Sequence, residues 1–438
     1  MTPASDEGGR VLRRSLIIRA GSAPFSALLG VLNSAVIVAA TGSPMFGVIT
    51  LVSTLAQQLP FADLGIGGIV TTAVARHRLN AASANEARAT VLRAVTILNL
   101  VATTLILLGI FATLSGAWKW LFSFPLSPSD QWWTLLAVAI FAVNIPISLT
   151  SRVVTGLGKN ELVVAANAVS SLVILGVTAL FYALGSSGME FALPAVLGPL
   201  VVNIGLFIYL AGKHRTAIRP RLSSFAHAAP RPLLSGAVWL LLINIGLPLG
   251  LQSGRYIVAH GTGSEELAAY ALAMQIYTAA WGILAVASSA LWSAFVGLRG
   301  DPARTLVLWR RSTAQLTSLA VLFATALVFG GPWVIGLISG GQTSVDWRFF
   351  LGFAVLLLAQ AAHLPAGAAL TFPSELRWQA GCVIAMGSAS VILAFALVPV
   401  VGSSGAAVAS GVSVLLCQFV PDTVWIKRLL KRRTEGNP

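Results

Sequence analysis

Asp63 stands in the stretch FADLGIGGIVTTAVARHRL, Phe61 to Leu79. Apolar sequence precedes it, Gly65, Gly67 and Gly68 follow directly, and Arg76 and Arg78 close the run. Two chemistries compete for these residue types at this spacing. A strand, a glycine-rich turn and a helix would cradle phosphate on backbone N–H groups. A carboxylate inside a helix that crosses hydrocarbon is instead an expensive charge that needs a partner or a polar cavity. The long apolar runs also hold Arg19, Arg255 and, at mid-depth, the amides Gln57, Gln58, Asn99, Asn144, Asn244, Gln275 and Gln360, with His363 nearby; Asp422 lies near the end of the last run. No metal-ligand spacing, nucleophile elbow or Walker loop accompanies them, so no metal, cofactor or catalytic residue is expected. Cys382 and Cys417, far apart in sequence, read as reduced packing residues.

The elements that must position these groups follow from composition. The 438 residues are 56% hydrophobic and only 10% charged, against about 25% charged in soluble domains. Runs of 18 or more apolar residues, each long enough to cross about 30 Å of hydrocarbon as a helix, recur along the chain. They are Leu16–Ala40, Phe46–Ala75, Ala89–Leu114, Trp133–Thr155, Leu162–Leu184, Ala192–Ala211, Leu233–Ala259, Leu267–Val296, Ala314–Ile338, Phe349–Ala369, Ala380–Val400 and Ala406–Trp425. None alternates like a membrane barrel strand, so an all-α polytopic membrane protein with twelve transmembrane helices is expected. The polar start, MTPASDEGGRVLRR, lacks a cleavage site and reads as a tail before a retained first helix.

The net charge of +14 could point to nucleic acid, but its placement does not. With the N-terminus inside, all basic residues but Arg19, Lys119, Arg255 and Arg348 fall on cytoplasmic stretches. That is the positive-inside pattern. It predicts a multi-pass protein of the inner (cytoplasmic) membrane with both termini cytoplasmic, attracted to anionic membrane lipids rather than to nucleic acid.

The basic linker from Lys213 to Leu233 falls near the midpoint. NSAVIVAATGS, ending the first run, weakly matches QSGRYIVAHGTGS, ending the seventh, about half a chain later. The expected organisation is a cytoplasmic tail (1–14), an N-lobe of six helices (15–211), a basic linker (212–232), a C-lobe of six helices (233–426) and a basic tail (427–438). Because each half holds an even number of helices, a pseudo-two-fold axis along the membrane normal relates the lobes. Two such lobes around one cavity make an alternating-access transporter the leading class.

Asp63 pairs structurally with an arginine such as Arg19, Arg93 or Arg152, or it serves coupling; the sequence leaves both open. Pro60 and the glycines after Asp63 predict a bend between Pro60 and Gly68, and Pro24, Pro146, Pro248 and Pro365 predict bends elsewhere. The amides Gln57, Asn99, Asn144, Asn244, Gln275 and Gln360 either bond between helices, at about 0.6–2 kcal/mol each, or line a cavity suited to sugar hydroxyls. Arg19 and Arg255 lie nearer the ends of their runs than the centre, where snorkelling is the default. The alternative groups Arg19, Arg76, Arg93, Arg152 and Arg255 as a headgroup site, since a guanidinium pairs with phosphate and keeps its charge.

RRSLIIRAGSAPFSALLGVLNSAVIVAATGSPMFGVITLVSTLAQQLPFADLGIGGIVTTAVAR resembles the first two helices of the polysaccharide-transport flippases, Wzx-like O-antigen and teichoic-acid exporters of the multidrug/oligosaccharidyl-lipid/polysaccharide (MOP) superfamily. Phe46-Gly47 and ADLGIGG carry the likeness, and RYIVAHGTGSEELAAYALAMQI, with Tyr270, matches the family's seventh-to-eighth helix junction. The sequence departs where the family commonly has Asp-Arg (here Gly254-Arg255) and an arginine after the glycines (here Thr72). The resemblance implies a MATE-like fold and a flippase moving a polyprenyl-(pyro)phosphate-linked saccharide to the outer leaflet for cell-envelope assembly, with glycan polymerase or glycosyltransferases as partners. The rival is a multidrug and toxin extrusion-type, cation-coupled exporter, which would place acids in its cavity.

Overall fold

The computed structural model describes residues 24–63, 65–79, 84–213, 231–298, 300–370 and 373–434. The described residues form helices and turns without a strand. In chain order the helices are α1 (Pro24–Thr41), α2 (Ser43–Ala62), α3 (Ile66–Leu79), α4 (Ala84–Ser115), α5 (Trp118–Phe122), α6 (Pro128–Ile147), α7 (Leu149–Gly156), α8 (Asn160–Ala183) and α9 (Leu193–Lys213). The second half holds α10 (Arg231–Leu251), α11 (Ser253–Gly261), α12 (Ser264–Gly297), α13 (Pro302–Ile338), α14 (Phe349–Ala369), α15 (Pro373–Val401), α16 (Ser404–Val414) and α17 (Val420–Thr434). A π-helical turn, Leu415–Phe419, joins the last two.

Ten helices among the described residues are long and apolar enough to cross a membrane, where twelve were expected. The ten correspond to all of the expected spans but the second and the seventh, and each of those two is divided between two helices. Phe46–Ala75 is divided between α2 and α3, and Leu233–Ala259 between α10 and α11. The first break lies at Asp63–Gly65, within the predicted bend, with Gly65 at φ 75°. The second lies at Gln252 (φ −116°), one turn after Pro248. Pro146 likewise precedes the α6–α7 junction at Ser148. Pro365 breaks nothing: α14 runs through it to Ala369.

The outer faces confirm the solvent for which the chain is built. Leu100, Leu107, Phe111 and Leu114 on α4 are exposed, as are Phe329, Trp333 and Leu337 on α13 and Ile392, Phe395 and Val400 on α15. Water would penalise such continuous apolar faces; lipid does not.

The described chain divides into two compact units. In residues 48–244, α4 packs on α6, α8 on α9, and α3 on both α4 and α7. The α3–α7 seam is close because Gly156 presents no side chain: a Cβ there would lie 2.8 Å from the Thr71 carbonyl oxygen. In the unit of residues 24–47 with 245–434, α14 lies at the centre, packed on α12, α13 and α16. Phe350 and Phe353 of α14 are fully buried, with the rings of Tyr270 and Tyr277 packed at a tilt beside Phe353. Gly47 lets α2 approach α12, a Cβ there falling 2.9 Å from the Ser264 carbonyl oxygen.

Candidate functional site

In the 48–244 unit the polar centre is built around Asp63. Its carboxylate is buried and reaches Arg152 of α7, with Oδ2 at 3.0 Å from Nε and 2.8 Å from Nη2. Oδ1 accepts the Gly65 N–H at 3.0 Å, and the Asp63 carbonyl accepts the Ile66 N–H at 2.9 Å. The glycines are therefore structural. Gly65 takes the left-handed turn that a side chain resists, and a Cβ at Gly67 would land on the carboxylate. Thr71 Oγ1 donates to the Arg152 carbonyl at 3.2 Å and fastens the next turn of α3 to the same helix. DLGIGG is thus a carboxylate-capped helix break tied to α7. The strand that a phosphate-cradling turn requires is absent among the described residues.

Arg152 remains 38% exposed on its side chain and opens on a cavity of about 270 Å³ lined also by Ser148, Ser151, Asn167 and Asn203. The Asn203 amide donates to Asn144 Oδ1 at 2.9 Å, both side chains buried, so Asn144 serves as an interhelical tie between α6 and α9. Asn99 is exposed, beside an apolar cavity of about 250 Å³ lined also by Val95, Pro146 and Leu149. Arg76 is exposed near the end of α3, and Arg93 is half-buried on α4. Arg19 and the Gln57 side chain lie outside the described residues.

Arg255 departs from the snorkelling expectation. It sits in the first turn of α11 and is only 4% exposed. The helix break at Gln252 turns this segment inward, so distance from the end of the run is a poor guide to depth. Among the described residues no carboxylate lies within ion-pair reach of Arg255, and its Nε has no hydrogen-bond partner. The ionisable groups that act on it are the Tyr256 and Tyr270 hydroxyls. Gly254 makes room for the second of these: a Cβ there would lie 2.8 Å from Tyr270 Oη.

Gln360, expected as a cavity amide, is buried and accepts a short hydrogen bond from Tyr277 Oη. Gln275 packs directly over Gly30 of α1, and Asn244 is half-buried on α10. Asp422 lies deeper than its place near the end of the last run suggests. After the π turn, helix runs on past the expected end of that run, Trp425, to Thr434, so Asp422 is an interior residue with 0% exposure. Its Oδ1 accepts Trp378 Nε1 at 2.7 Å, and its Oδ2 lies 3.3 Å from His363 Nε2. A second polar cavity, of about 490 Å³, is lined by Ser43, Glu265, Glu266, Gln342, Thr343 and Ser403. Thr343 Oγ1 donates to Ser43 Oγ at 2.8 Å and the Ser403 N–H to Glu266 Oε2 at 2.7 Å. These residues lie in turns between helices or at helix ends, where their polarity carried no signal in the sequence.

A family model described as "Polysaccharide biosynthesis protein" matches residues 12–295, more than half of the chain. The chain belongs to the polysaccharide biosynthesis protein family. No curated protein matches it. Among solved structures it is similar to an inward-facing multidrug resistance MATE family transporter of the MOP superfamily, with TM-score 0.70 and 14% identity over 97% of this chain and 100% of that one. An outward-facing transporter of that description gives TM-score 0.65 and 13% identity, covering 96% of each chain. A MOP superfamily transporter from Pyrococcus furiosus Vc1, described as having a binding pocket of reverse polarity that suggests a different function, gives TM-score 0.61 and 12% identity, again over 96% of each chain. At these identities the structures establish the fold alone: this member of the polysaccharide biosynthesis protein family has a MATE-like architecture.

Proposed function

We propose that this transporter is an alternating-access flippase that moves a polyprenyl-(pyro)phosphate-linked saccharide between the leaflets of the membrane for cell-envelope polysaccharide assembly. The observation that carries the reading is the sign of the uncompensated buried charge. Asp63 is neutralised by Arg152, whereas Arg255 is buried without a carboxylate within ion-pair reach among the described residues. Burying a lone guanidinium is costly unless an anion joins it. A phosphate suits it, because the planar fork makes paired hydrogen bonds.

Arg255 is the principal anion anchor on this reading. In the 48–244 unit, taken by itself, Arg152 presents its exposed edge to the cavity lined by Ser148, Ser151, Asn167 and Asn203. Those neutral donors and acceptors suit sugar hydroxyls. A diphosphate of about two negative charges moving outward would gain roughly 2.3 kcal/mol per charge per ~100 mV of inside-negative potential. The membrane is the inner one, with both termini cytoplasmic, and the partners are glycosyltransferases or a glycan polymerase that supply or consume the lipid-linked glycan.

The test is flipping of a fluorescent polyprenyl-diphosphate saccharide in proteoliposomes. Arg255→Ala is expected to lower the rate at least tenfold and Arg255→Lys to restore part of it; equal rates for wild type and Arg255→Ala would overturn the reading. A second reading, a cation exporter, is favoured by the similarity to multidrug MATE transporters. Ethidium efflux driven by a proton gradient and abolished in Asp63→Asn would establish it instead.

A further inference from the structure

We propose that His363 and Asp422 form a binding site for a single proton, and that this proton holds α14 against α17. His363 projects from the fourth turn of α14 and Asp422 from the first turn of α17. Their facing atoms, Nε2 and Oδ2, are 3.3 Å apart. Neither atom makes a hydrogen bond to another described group. The Asp422 side chain is 0% exposed and the His363 side chain 15%, so His363 is the route by which a proton reaches the carboxylate.

The surroundings leave the pair to balance its own charge. Asp422 Oδ1 accepts Trp378 Nε1 at 2.7 Å, and the carboxylate's buried neighbour Cys382 is a neutral thiol. Trp378 stacks on Trp425 with ring centroids 4.4 Å apart. These rings close onto an apolar cluster of Phe295, Trp309, Ala366, Leu370, Ile426 and Leu430. Among the described residues, the other titratable groups on the packed elements do not supply a counter-charge. Cys417 is on the π turn, and Tyr270 and Tyr277 on α12 are buried and neutral. Glu265 and Glu266 on α12, Arg304, Arg310 and Arg311 on α13, Arg377 on α15, and Lys427, Arg428, Lys431 and Arg432 on α17 are all exposed; Glu375 is buried in the first turn of α15.

A carboxylate in such a place is tolerated only when neutralised. One proton achieves this in either arrangement, a carboxylic acid beside a neutral imidazole or a carboxylate beside an imidazolium. Moving it between Oδ2 and Nε2 makes and breaks one O–H and one N–H bond and leaves the pair's net charge at zero. Loss of the proton leaves a bare anion among tryptophans, and a second proton leaves a buried cation. The one-proton form is thus the packed form, and raising the pH removes the proton and loosens the α14–α17 contact.

Hydrogen exchange on the full chain in lipid nanodiscs, corrected for intrinsic rates, tests this without any saccharide substrate. Its failure is therefore separate from failure of the flippase assignment. Protection of α14 and α17 in wild type is expected to fall severalfold as the pH rises, relative to α6 and α9. Asp422→Asn should hold it constant with pH. A wild-type profile that is flat, or an Asp422→Asn profile that still falls with pH, would overturn the proposal. Protection that follows sodium concentration at fixed pH would also overturn it. If Asp422→Asn does not fold, His363→Gln with infrared spectroscopy decides. In wild type the loss of the proton, seen in the carboxylic-acid carbonyl band or in the imidazolium ring bands, should fall in a pH range different from that of the carboxyl band of His363→Gln; identical titration in both would refute the pair.

Discussion

Asp63 and Asp422 are both carboxylates buried in bundles of apolar helices, and they are neutralised in different ways. Asp63 meets a guanidinium, which keeps its charge at any pH the protein encounters. It is also held by the N–H of Gly65, so its pairing is permanent and tied to a helix break. Asp422 meets an imidazole, a group that can gain or lose a proton, and its fixed donor is the Trp378 indole. The first arrangement builds a rigid corner between α3 and α7. The second builds a contact between α14 and α17 whose strength depends on a proton. Residue type at the partner position, rather than burial, separates scaffold from switch.

The largest effect should come from removing the permanent partner. Arg152→Ala leaves a carboxylate buried at 4% exposure and should cost about 3 kcal/mol, the low end for a broken buried pair because the guanidinium is partly exposed. Thermal melting in detergent checks this, and Asp63→Asn/Arg152→Gln should recover most of the loss. Equal melting of Arg152→Ala and wild type would erase the contrast with Asp422. Next, Gly67→Ala forces a Cβ into the carboxylate and should cost about 1–3 kcal/mol, read by the same melt. Asn203→Ala, which orphans buried Asn144, should cost about 1 kcal/mol. Lys427→Ala and Arg428→Ala, on exposed positions of α17, should change stability by less than about 0.5 kcal/mol.

The same contrast explains what could be read from sequence. Helical spans follow from apolar run length, which is why ten of them are found near the expected ranges. The break after Asp63 was legible because Pro60, Gly65 and Gly67 are local signals. Arg152 was one of three arginines that depth alone offered Asp63, and only the α3–α7 contact selects it. The depth of Asp422 was hidden because hydropathy falls where Lys427 and Arg428 begin, while the backbone continues as helix for another two turns. Arg255 was hidden in the other direction: Pro248 signalled a bend, but not that the residues after it would be carried into the interior, so distance from the end of the run misjudged its depth. His363 had no sequence partner at all, since Asp422 lies 59 residues away and is brought to it by tertiary packing.

The most direct test places both substrate classes in the same vesicles. Reconstituted wild type is offered a fluorescent polyprenyl-diphosphate saccharide and ethidium, and translocation of each is followed with and without Arg255→Ala. The flippase account predicts movement of the lipid-linked saccharide, at least tenfold slower in Arg255→Ala, with ethidium left untransported. Ethidium transport with no movement of the saccharide, or saccharide flipping indifferent to Arg255, would contradict it.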